Sequence, residues 1–589
     1  MKYQTAPLAA VVAEVMVTSG EAVRKGQELM ILEAMKMENA ICAEEDSIVT
    51  TIIVKVGDTI VKGQRLLQYK ISTSNTIEPR VDDIQNLEGD PLLELTKRLE
   101  YLKDSNRPAA VEKRKSKGQN MARENLHKLV DEGSFKEYGS LVIAAQRTRR
   151  STADLIKNTP ADGLIMGTAT INQDGIATGT GDCIVMIYDY TVLAGTQGTM
   201  NHHKMDRMLH IAQKNKLPVI LFAEGGGGRP GDVDQKTIAG LHISTFVEFG
   251  RLSGMVPVIA VVSGYCFAGN AALAGMADVI IATEDSSLGM GGPAMIEGGG
   301  LGSYHPKEVG PPAIHIENGV IDILVKDEDE AIVVAKKYLS YFQGDTKEYT
   351  VADQSALREA IPHNRKRAYD IRSIVRLLSD TDSTLELRAD YGKGLLTYLV
   401  RIEGKAFGLI ANNPTYEAGA INSENAIKAN AFIKLCNQHQ LPIISLVDTP
   451  GIMVGPQAEA SGTVRHASQL FITGAQLRVP FYAFVLRRAY GLGAMAMLGG
   501  STRVPDFVVA WPTGEFGAMG LEGAVKLGFR KELEAIEDLE ERENEYHKMV
   551  ELAYERGKAV SMASMFEIDN VIDPIDTRSW ILLAHRQHQ

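Results

Sequence analysis

Leu217-Pro-Val-Ile-Leu-Phe-Ala-Glu-Gly225 recurs downstream as Leu441-Pro-Ile-Ile-Ser-Leu-Val-Asp-Thr449, and this repeated stretch decides the fold class. Each copy is a short run of branched and aromatic apolar residues that ends in a turn, as buried strands do. Three more pairs keep a spacing of 223 to 229 residues: Val256–Val262 with Val479–Val485, Asp278–Ala282 with Asp506–Ala510, and Met290–Gly292 with Met519–Leu521. A chance match would not hold this register across four blocks.

Helical stretches lie between the strands of each copy, around residues 236–253 in the first and 458–477 in the second. Strands that alternate with helices predict layered α/β domains in which the strands are mostly parallel. We therefore expect two homologous α/β domains, over residues 90–345 and 353–589.

A smaller repeat lies within residues 1–71. Val17–Leu29 and Val54–Leu66 share one pattern, a strand, a G-E or G-D turn, a short strand, a K-G turn and another strand. Two such halves predict a small, quasi-symmetric β-sandwich. The polar residues that follow, 72–89, predict a linker.

The segment Glu33-Ala-Met-Lys-Met-Glu38 falls midway between the two small halves, where the sandwich needs a connecting hairpin. Lys36 should therefore lie at an exposed turn tip, with Met35 and Met37 beside it. A lysine at a turn is usually only solvated. Two exposed methionines, however, leave apolar surface in water, which is unfavourable unless another molecule contacts them. Lys36 is thus a candidate for modification.

Composition excludes several classes of protein. The chain has 589 residues, 44% of them hydrophobic, and a net charge of −12, which argues against nucleic acid as the main partner. The apolar runs are too short for a membrane helix, and the N-terminus has no signal-peptide pattern, so a cytoplasmic location is expected. Four single cysteines without a CxxC pair predict neither a zinc site nor disulfides. The adjacent histidines of Asn201-His-His-Lys204 suit a solvated helix start better than a metal site, and no metal is expected.

Two glycine-rich turns follow equivalent strands of the large repeat. Ala268-Gly-Asn270 and Gly491-Leu-Gly493 superimpose under a shift of 223 residues. A strand that ends in small residues and leads into a helix directs successive backbone N–H groups at one point, and such a nest binds developing negative charge. The alternative is a plain tight turn that binds nothing. Because both halves of the repeat have the turn at the same position, the nest is the favoured interpretation.

The A-M-K-M tip within its repeat resembles the biotinyl carrier domain of biotin-dependent enzymes, whose lysine carries biotin. Lipoyl carriers share that fold but usually have a D-K-A tip, and an unmodified lysine is the remaining alternative. Ala6-Pro-Leu-Ala-Ala10 departs from the A-P-M-P-G of many carriers. The resemblance implies covalent biotin on Lys36.

Residues from about 100 to 589 resemble the carboxyltransferase subunit of biotin-dependent acyl-CoA carboxylases, which is built from two crotonase-like halves. The matching segments are Lys117–Leu126, Asp131–Phe135, Tyr188–Val192, Glu224–Arg229, Met290–Ala294, Arg465-His466, Ala510–Glu515 and Met519–Val525. The resemblance implies a carboxyl transfer from biotin on Lys36 to the α-carbon of an acyl-CoA. The alternative within the family is the carboxyltransferase of a sodium-pumping acyl-CoA decarboxylase.

The resemblance also implies roles for the two nests. Ala268, Gly269 and Asn270 would hold the thioester oxygen of the acyl-CoA. The second nest, Gly491, Leu492 and Gly493, would face biotin, although Leu492 stands where the family usually has glycine. The turn Glu224–Arg229 would form a wall of the acyl-CoA site, with Arg229 either structural or facing a phosphate.

Further partners follow from the family. The sequence contains no recognisable biotin carboxylase, so a separate biotin carboxylase subunit and a biotin protein ligase are implied, as is a homo-oligomer, a hexamer of two trimers. The alternative hypothesis outside the enzymes is a carrier or scaffold with an inactive core. The motifs favour a broad or long-chain acyl specificity, and residues 296–312 are a candidate lid or acyl-pocket loop. Asp448-Thr-Pro-Gly451 resembles a GTPase D-x-x-G motif, but no P-loop accompanies it.

Overall fold

The structure is a computed structural model that describes residues 1–71, 91–234 and 240–588. It divides into two compact units, Met1–Glu94 and Leu95–Gln589. The predicted linker, 72–89, lies outside the described residues, and so does part of the helix predicted around 236–253, of which Thr245–Gly250 is helical. The helix predicted around 458–477 is present as Thr463–Ala475.

The smaller unit contains two four-stranded antiparallel sheets that enclose one apolar core. In order across each sheet, the strands are Lys2–Thr5, Arg65–Ile71, Ser47–Ile52 and Ala22–Val23 in one, and Met37–Cys42, Glu28–Ala34, Ala10–Val15 and Thr59–Ile60 in the other. Four glycines at equivalent turns, Gly20, Gly26, Gly57 and Gly63, have φ between 86° and 96°, which only glycine adopts readily. The predicted quasi-symmetric sandwich is confirmed.

The larger unit contains two sheets of mostly parallel strands. The first has the order Ile323–Val325, Val279–Thr283, Val258–Val262, Val219–Phe222, Asp182–Tyr188, Leu164–Thr170 and Lys136–Glu137. The second has the order Leu385–Leu387, Leu395–Ile402, Lys405–Asn412, Ile443–Thr449, Phe481–Tyr490, Phe507–Ala510 and Asn570–Val571, with Glu515–Gly517 beside Phe481–Tyr490. Tyr265–Phe267 and Ser287–Gly289 form a separate parallel pair. The α/β class predicted from the repeat is confirmed.

Helices cover the sheets and connect their strands. Helix Pro91–Glu100 spans the boundary between the two units. Around the first sheet the helices are Pro108–Lys115, Ala122–Leu129, Thr152–Asn158, Thr199–Asn215, Thr245–Gly250, Gly269–Gly275, Pro293–Gly298, Pro306–Val309, Pro312–Glu317 and Glu328–Ser340. Around the second they are Ile371–Leu378, Ser423–Gln438, Pro456–Ala460, Thr463–Ala475, Gly491–Met497, Leu521–Gly528, Arg530–Glu534, Leu539–Gly557, Ala559–Ser564 and Thr577–Arg586. In the described ranges, no helix combines the length and hydrophobicity that crossing a bilayer requires.

The duplication extends to side chains that the sequence comparison did not single out. Lys204 and Lys428 lie at equivalent places in the long helices of the two halves, and both are buried. The Nζ of Lys204 donates to the carbonyls of Ala161 (2.6 Å) and Leu164 (2.5 Å), and that of Lys428 to those of Arg388 (2.7 Å) and Tyr391 (2.9 Å). Each lysine therefore fastens its helix to the chain that enters the first long strand of its half.

This arrangement corrects one prediction. The segment Asn201–Lys204 is not a solvated helix start, because Asn201, His202 and Lys204 are all buried and hydrogen-bonded. Among the described residues, no group of three or more His, Cys, Asp or Glu side chains has an arrangement that could bind a metal ion.

Candidate active site

The tip of the small sandwich presents Lys36 to solvent. Strands Glu28–Ala34 and Met37–Cys42 pair up to Ala34 opposite Met37, which leaves a two-residue turn. Met35 (φ +52°) and Lys36 (φ +65°) both have the positive φ that a type I′ turn requires. Met35 is 99% exposed and Met37 69%, so the tip is open on both sides of the lysine. An exposed lysine at such an apex fits covalent attachment of biotin.

The left-handed backbone at the tip predicts an unusual effect on stability. Changing Met35 to glycine should stabilise the hairpin by about 1 kcal/mol, because glycine adopts the positive φ at this position without strain. The exposed side chain of Met35 makes no packing contact that would be lost. Hydrogen exchange of the amides in the flanking strands of the full-length protein measures this. Met16, which is 47% exposed and has no positive φ, is the matched control, and Met16→Gly should weaken protection. Weaker protection in Met35→Gly would contradict the strain.

The nest of the first half begins where strand Tyr265–Phe267 meets helix Gly269–Gly275. Ala268 joins them with φ +53° and ψ −120°, and no side chain caps the helix. The N–H of Ala268 donates to the carbonyl of Gly289 (3.0 Å), so it is not free for a ligand. The N–H groups of Gly269 and Asn270 have no acceptor among the described residues. The available donors of this nest are therefore those two.

The side chain of Asn270 holds a second turn against this nest. Its Oδ1 accepts from the N–H of Gly227 (3.1 Å) and its Nδ2 donates to the carbonyl of Gly195 (3.4 Å), while the residue is completely buried. A Cβ at Gly227 would meet the Cβ of Ala268 at 2.6 Å, so the turn Glu224–Gly228 packs on the nest without room for a side chain. Asn270 thus contributes its side chain to the architecture and its backbone N–H to the nest.

Arg229, at the end of this turn, is structural. Its guanidinium forms ion pairs with Asp162 (2.5 Å) and Asp232 (3.4 Å) and donates to the carbonyl of Thr196 (2.8 Å), with 4% of the side chain exposed. Of the two roles that the sequence left open, the contacts support the structural one. A cavity of about 740 Å³ adjoins the turn, lined among others by Gln197, Gly228 and His202.

Gln197 connects this cavity with the nest. Its Nε2 donates to the hydroxyl of Tyr188 (3.3 Å), and its backbone bridges the turn by accepting from Arg229 (2.8 Å) and donating to Gly227 (2.7 Å). A Cβ at Gly269 would collide with the Gln197 carboxamide. Gln197 therefore lines the cavity and also packs against Gly269, where a glycine is needed.

The nest of the second half lies at the equivalent junction of strand Phe481–Tyr490 with helix Gly491–Met497. Gly491 has φ +54°, and a Cβ at Gly493 would meet backbone atoms of Gly451 at 2.5 Å. Leu492 is 60% exposed, and neither its N–H nor that of Gly493 has an acceptor among the described residues. The leucine therefore projects away from the packed side of the turn and leaves the backbone donors in place.

The turn that packs on the second nest is Asp448–Gly451. This is the segment that resembles a GTPase D-x-x-G motif, and its place in the fold is structural. Asp448 is completely buried, and its carboxylate accepts from Arg487 (3.1 Å), Arg488 (2.7 Å) and the hydroxyl of Tyr369 (2.9 Å). In the repeat Asp448 is the counterpart of Glu224. Each half thus has a buried carboxylate, neutralised by arginine, at the base of its nest.

Glu224 obtains its arginine from the segment before the first sheet. Both its carboxylate oxygens lie 2.8 Å from Nη1 of Arg114, whose Nη2 donates to Glu328 (3.1 Å). Burial raises the pKa of Glu224 to about 7, and Arg114 opposes that shift. Glu328 also accepts from the hydroxyl of Ser263 (2.8 Å). This network ties helix Pro108–Lys115 to the turn that supports the first nest.

A titratable pair adjoins the second nest and was not evident from the sequence. The hydroxyl of Tyr490 donates to Glu515 (3.0 Å), and burial raises the pKa of Glu515. Glu515 also lines a cavity of about 480 Å³ together with His363, Arg365, Arg487 and Lys558. Only the pairing of Glu515–Gly517 with Phe481–Tyr490 brings these groups together.

Comparison with known proteins bears on both units. The family described as "Carboxyl transferase domain" matches residues 113–588, and the family described as "Biotin-requiring enzyme" matches residues 5–68. The chain belongs to the carboxyl transferase family. It is a biotin-dependent carboxyltransferase of the acyl-CoA carboxylase type, with a biotinyl domain on the same chain, as the sequence resemblance predicted.

Relatives support this assignment. The methylmalonyl-CoA carboxyltransferase 12S subunit of Propionibacterium freudenreichii subsp. shermanii is 31% identical over 489 residues, which cover 80% of this chain and 89% of that protein. The biotin-dependent long chain acyl-coenzyme A carboxylase beta4 subunit of Mycobacterium tuberculosis is 28% identical, over 85% of this chain and 94% of that protein. Because these relatives are carboxylases and a carboxyltransferase, they favour the carboxylase type over the carboxyltransferase of a sodium-pumping decarboxylase.

Solved structures agree with the fold. A single-chain, multi-domain long-chain acyl-CoA carboxylase is 49% identical with a TM-score of 0.80, over 99% of this carboxyltransferase. This chain spans 56% of the length of that enzyme. The transcarboxylase 12S structure, which shows a hexamer assembly with methylmalonyl-coenzyme A bound, is 28% identical with a TM-score of 0.74, over 87% of this chain and 97% of that one. The crotonase-like architecture of the two halves is confirmed.

Proposed function

We propose that this chain transfers a carboxyl group between biotin on Lys36 and the α-carbon of an acyl-CoA. The observation that carries the proposal is the pair of equivalent nests, each with backbone N–H groups that have no acceptor among the described residues. When attached, biotin supplies a carrier for the carboxyl group. The chain itself contributes donors at the two carbonyl oxygens where negative charge develops.

The first nest serves the acyl-CoA. The N–H groups of Gly269 and Asn270 stabilise the thioester oxygen as it gains charge on loss of the α-proton, and one such donor is typically worth about 3–4 kcal/mol. Ala268 sets the geometry through its positive φ and its hydrogen bond to Gly289. The 740 Å³ cavity that Gln197 and Gly228 line is proposed to receive part of the substrate, because Gln197 also packs against Gly269.

The second nest serves biotin. Gly491, Leu492 and Gly493 would hold the ring carbonyl oxygen through backbone N–H groups, which makes the leucine side chain irrelevant to the donor. The buried Asp448, held by Arg487 and Arg488, fixes the turn on which Gly493 packs. Backbone donors of this kind need no reorganisation during the reaction.

A pair of neighbouring substitutions tests the second nest. Gly493→Ala should lower kcat by about 100- to 1000-fold, because its Cβ would displace the Gly451 turn and misplace the donors. Leu492→Gly keeps the N–H and removes only an exposed side chain, so kcat should stay within about twofold. Steady-state transfer to free biocytin measures both. A large loss with Leu492→Gly, or none with Gly493→Ala, would contradict the assignment.

The proposed function extends to partners. We propose a separate biotin carboxylase subunit that loads biotin, a biotin protein ligase that modifies Lys36, and a homo-oligomer, a hexamer as in the 12S transcarboxylase. The long-chain acyl-CoA carboxylase at 49% identity supports a long-chain or broad acyl range, and residues 296–312 are proposed to contribute to the acyl pocket.

Reverse carboxyl transfer tests the proposal without any partner subunit. The purified protein is offered malonyl-, methylmalonyl- and longer α-carboxyacyl-CoAs with free biocytin, and carboxylated biocytin is measured. A rate with one or more thioesters establishes the transferase and gives its acyl range. No rate with any of them, on a folded protein, would favour the scaffold alternative.

A further inference from the structure

A buried histidine in the wall of the first-half cavity has one ring nitrogen without a partner. His202 lines the cavity of about 740 Å³ and is 8% exposed. Its Nδ1 lies 3.0 Å from Oγ1 of Thr245. Its Nε2 forms no hydrogen bond with the described residues, yet it keeps contact with solvent. Because His202 lines the cavity, Nε2 is the ring nitrogen that a ligand there can reach.

Thr245 fixes which of the two ring nitrogens carries the proton. Its hydroxyl donates to Oδ1 of Asp206 (2.5 Å), and Oδ2 of the same carboxylate accepts from the hydroxyl of Ser244 (2.7 Å). A hydroxyl has a single hydrogen to donate, so Oγ1 of Thr245 can only accept from Nδ1 of His202. Burial lowers the pKa of His202, which keeps the imidazole neutral at pH 7. Nε2 is therefore an unprotonated acceptor.

The second half has the same helix without this arrangement. At a shift of 224 residues the buried asparagine and lysine of the helix recur, as Asn425 for Asn201 and Lys428 for Lys204. His202 and Asp206 instead correspond to Ala426 and Asn430. The helix therefore folds without the histidine and the aspartate, and both belong to the half to which we assign the acyl-CoA.

The lining of the cavity suits a polar group. Among the described residues that line it, only Pro230 and Ile243 have apolar side chains. The two carboxylates of the lining, Asp206 and Asp232, already accept from protein donors. An alkyl group finds few apolar contacts there, whereas a hydroxyl can donate to Nε2 of His202. Such a bond satisfies an acceptor that is otherwise left to water.

We propose that His202 is a specificity-determining residue, whose Nε2 accepts a hydrogen bond from a hydroxyl on the acyl group of the thioester. This inference rests on the proposed acyl-CoA site at Gly269, and it names hydroxyacyl-CoA thioesters as the preferred substrate class. Gln197 both lines the cavity and packs against Gly269, so the hydroxyl enters the cavity past this side chain. The α-carbon must stay free for the carboxyl group, which makes C3 the nearest position for the hydroxyl.

Binding of short thioesters to the full-length protein tests the proposal without catalysis. Calorimetry gives the Kd of butyryl-CoA and of the (R)- and (S)-3-hydroxybutyryl-CoA enantiomers. One enantiomer should bind the wild type about fivefold more tightly than butyryl-CoA, because it gains one hydrogen bond. His202→Phe keeps a ring but removes the acceptor, so this preference should disappear. His210→Phe, an exposed position on the same helix outside the lining, is the matched control and should keep it.

Two results would overturn the proposal. One is equal binding of all three thioesters by the wild type. The other is equal weakening of all three in His202→Phe, which would mean that the nitrogen contacts an amide N–H of the pantetheine arm. If His202→Phe does not fold, Thr245→Val replaces it, since valine has the same shape without the hydroxyl that orients the ring. The preference should then fall to within about twofold, and an unchanged preference would contradict the assignment.

Reverse carboxyl transfer from malonyl-CoA to biocytin separates this inference from the proposed function. If the wild type prefers one hydroxyacyl thioester and His202→Phe does not, but neither protein transfers a carboxyl group, the role of His202 stands and the proposed function fails. If the wild type transfers the carboxyl group but shows no preference for a hydroxyl, the proposed function stands and the role of His202 fails.

Discussion

Lys36→Arg is expected to abolish carboxyl transfer from malonyl-CoA to the protein itself while leaving transfer to free biocytin at the wild-type rate. Arginine keeps the charge and the exposed position at the tip but cannot form the amide that attaches biotin. The two nests lie in the other unit and contain no residue of the tip. Incorporation of labelled carboxyl into the protein, together with a streptavidin blot, measures the first activity, and carboxylated biocytin measures the second.

The matched control is Lys62→Arg. Lys62 is an exposed lysine in the second half of the same sandwich, next to Gly63 in the K-G turn. It should retain both activities and the biotin. Loss of both activities in Lys36→Arg would mean that the lysine acts in the transfer site itself, and the assignment as the attachment point would be wrong.

Arg114→Met is expected to cause the largest loss of stability, about 3–5 kcal/mol, because it leaves Glu224 and Glu328 buried without a cation. The loss should grow with pH. The folded-state pKa of Glu224 is raised from 4.5 to about 7, so its contribution to stability is present below pH 4.5 and is lost as the pH rises through 7. Without Arg114 the pKa of Glu224 rises further. The free energies of unfolding of the variant and the wild type should therefore differ less at pH 6 than at pH 8.

Denaturant unfolding at pH 6 and pH 8 measures this effect. The triple variant Arg114→Met, Glu224→Gln, Glu328→Gln should recover most of the stability at pH 8, since the uncompensated charges are removed. Arg530→Met breaks the exposed Arg530–Glu534 pair and should change the unfolding curve very little. A loss in Arg114→Met that is equal at both pH values would mean that packing, rather than buried charge, accounts for the arginine.

The sequence predicted most of the framework because the relevant signals are local and repeated. The apolar runs at Leu217 and Leu441, the turn glycines of the small sandwich and the A-M-K-M tip all appear where the pattern places them. The domain boundaries at 345 and 353 and the roles of the nest residues stay predictions. The glycine-rich turns were recognisable because their spacing repeats.

What the sequence did not reveal depends on contacts between distant residues. Ala268 was predicted as a donor, but the carbonyl that takes its N–H belongs to Gly289, on a strand that only the fold brings alongside. Lys204 is buried because the carbonyls of Ala161 and Leu164 meet its ammonium, and a helical pattern around residue 204 does not show them. Arg114 lies in a basic run that resembles any solvated helix end until Glu224 and Glu328 are placed beside it.

The paired lysines, Lys204 and Lys428, have an evolutionary consequence. Two halves that share a buried helix lysine and a nest in the same register indicate duplication of one ancestral unit. After fusion each half was free to diverge alone. In the first half, one backbone N–H of the nest is bonded to Gly289, and the arginine that pairs with the buried carboxylate comes from the helix before the sheet. In the second half, the arginines that pair with the buried carboxylate come from the strand that leads into the nest. Under the proposed function, two originally identical nests could thereby become specific for different molecules while the backbone at each nest stayed the same.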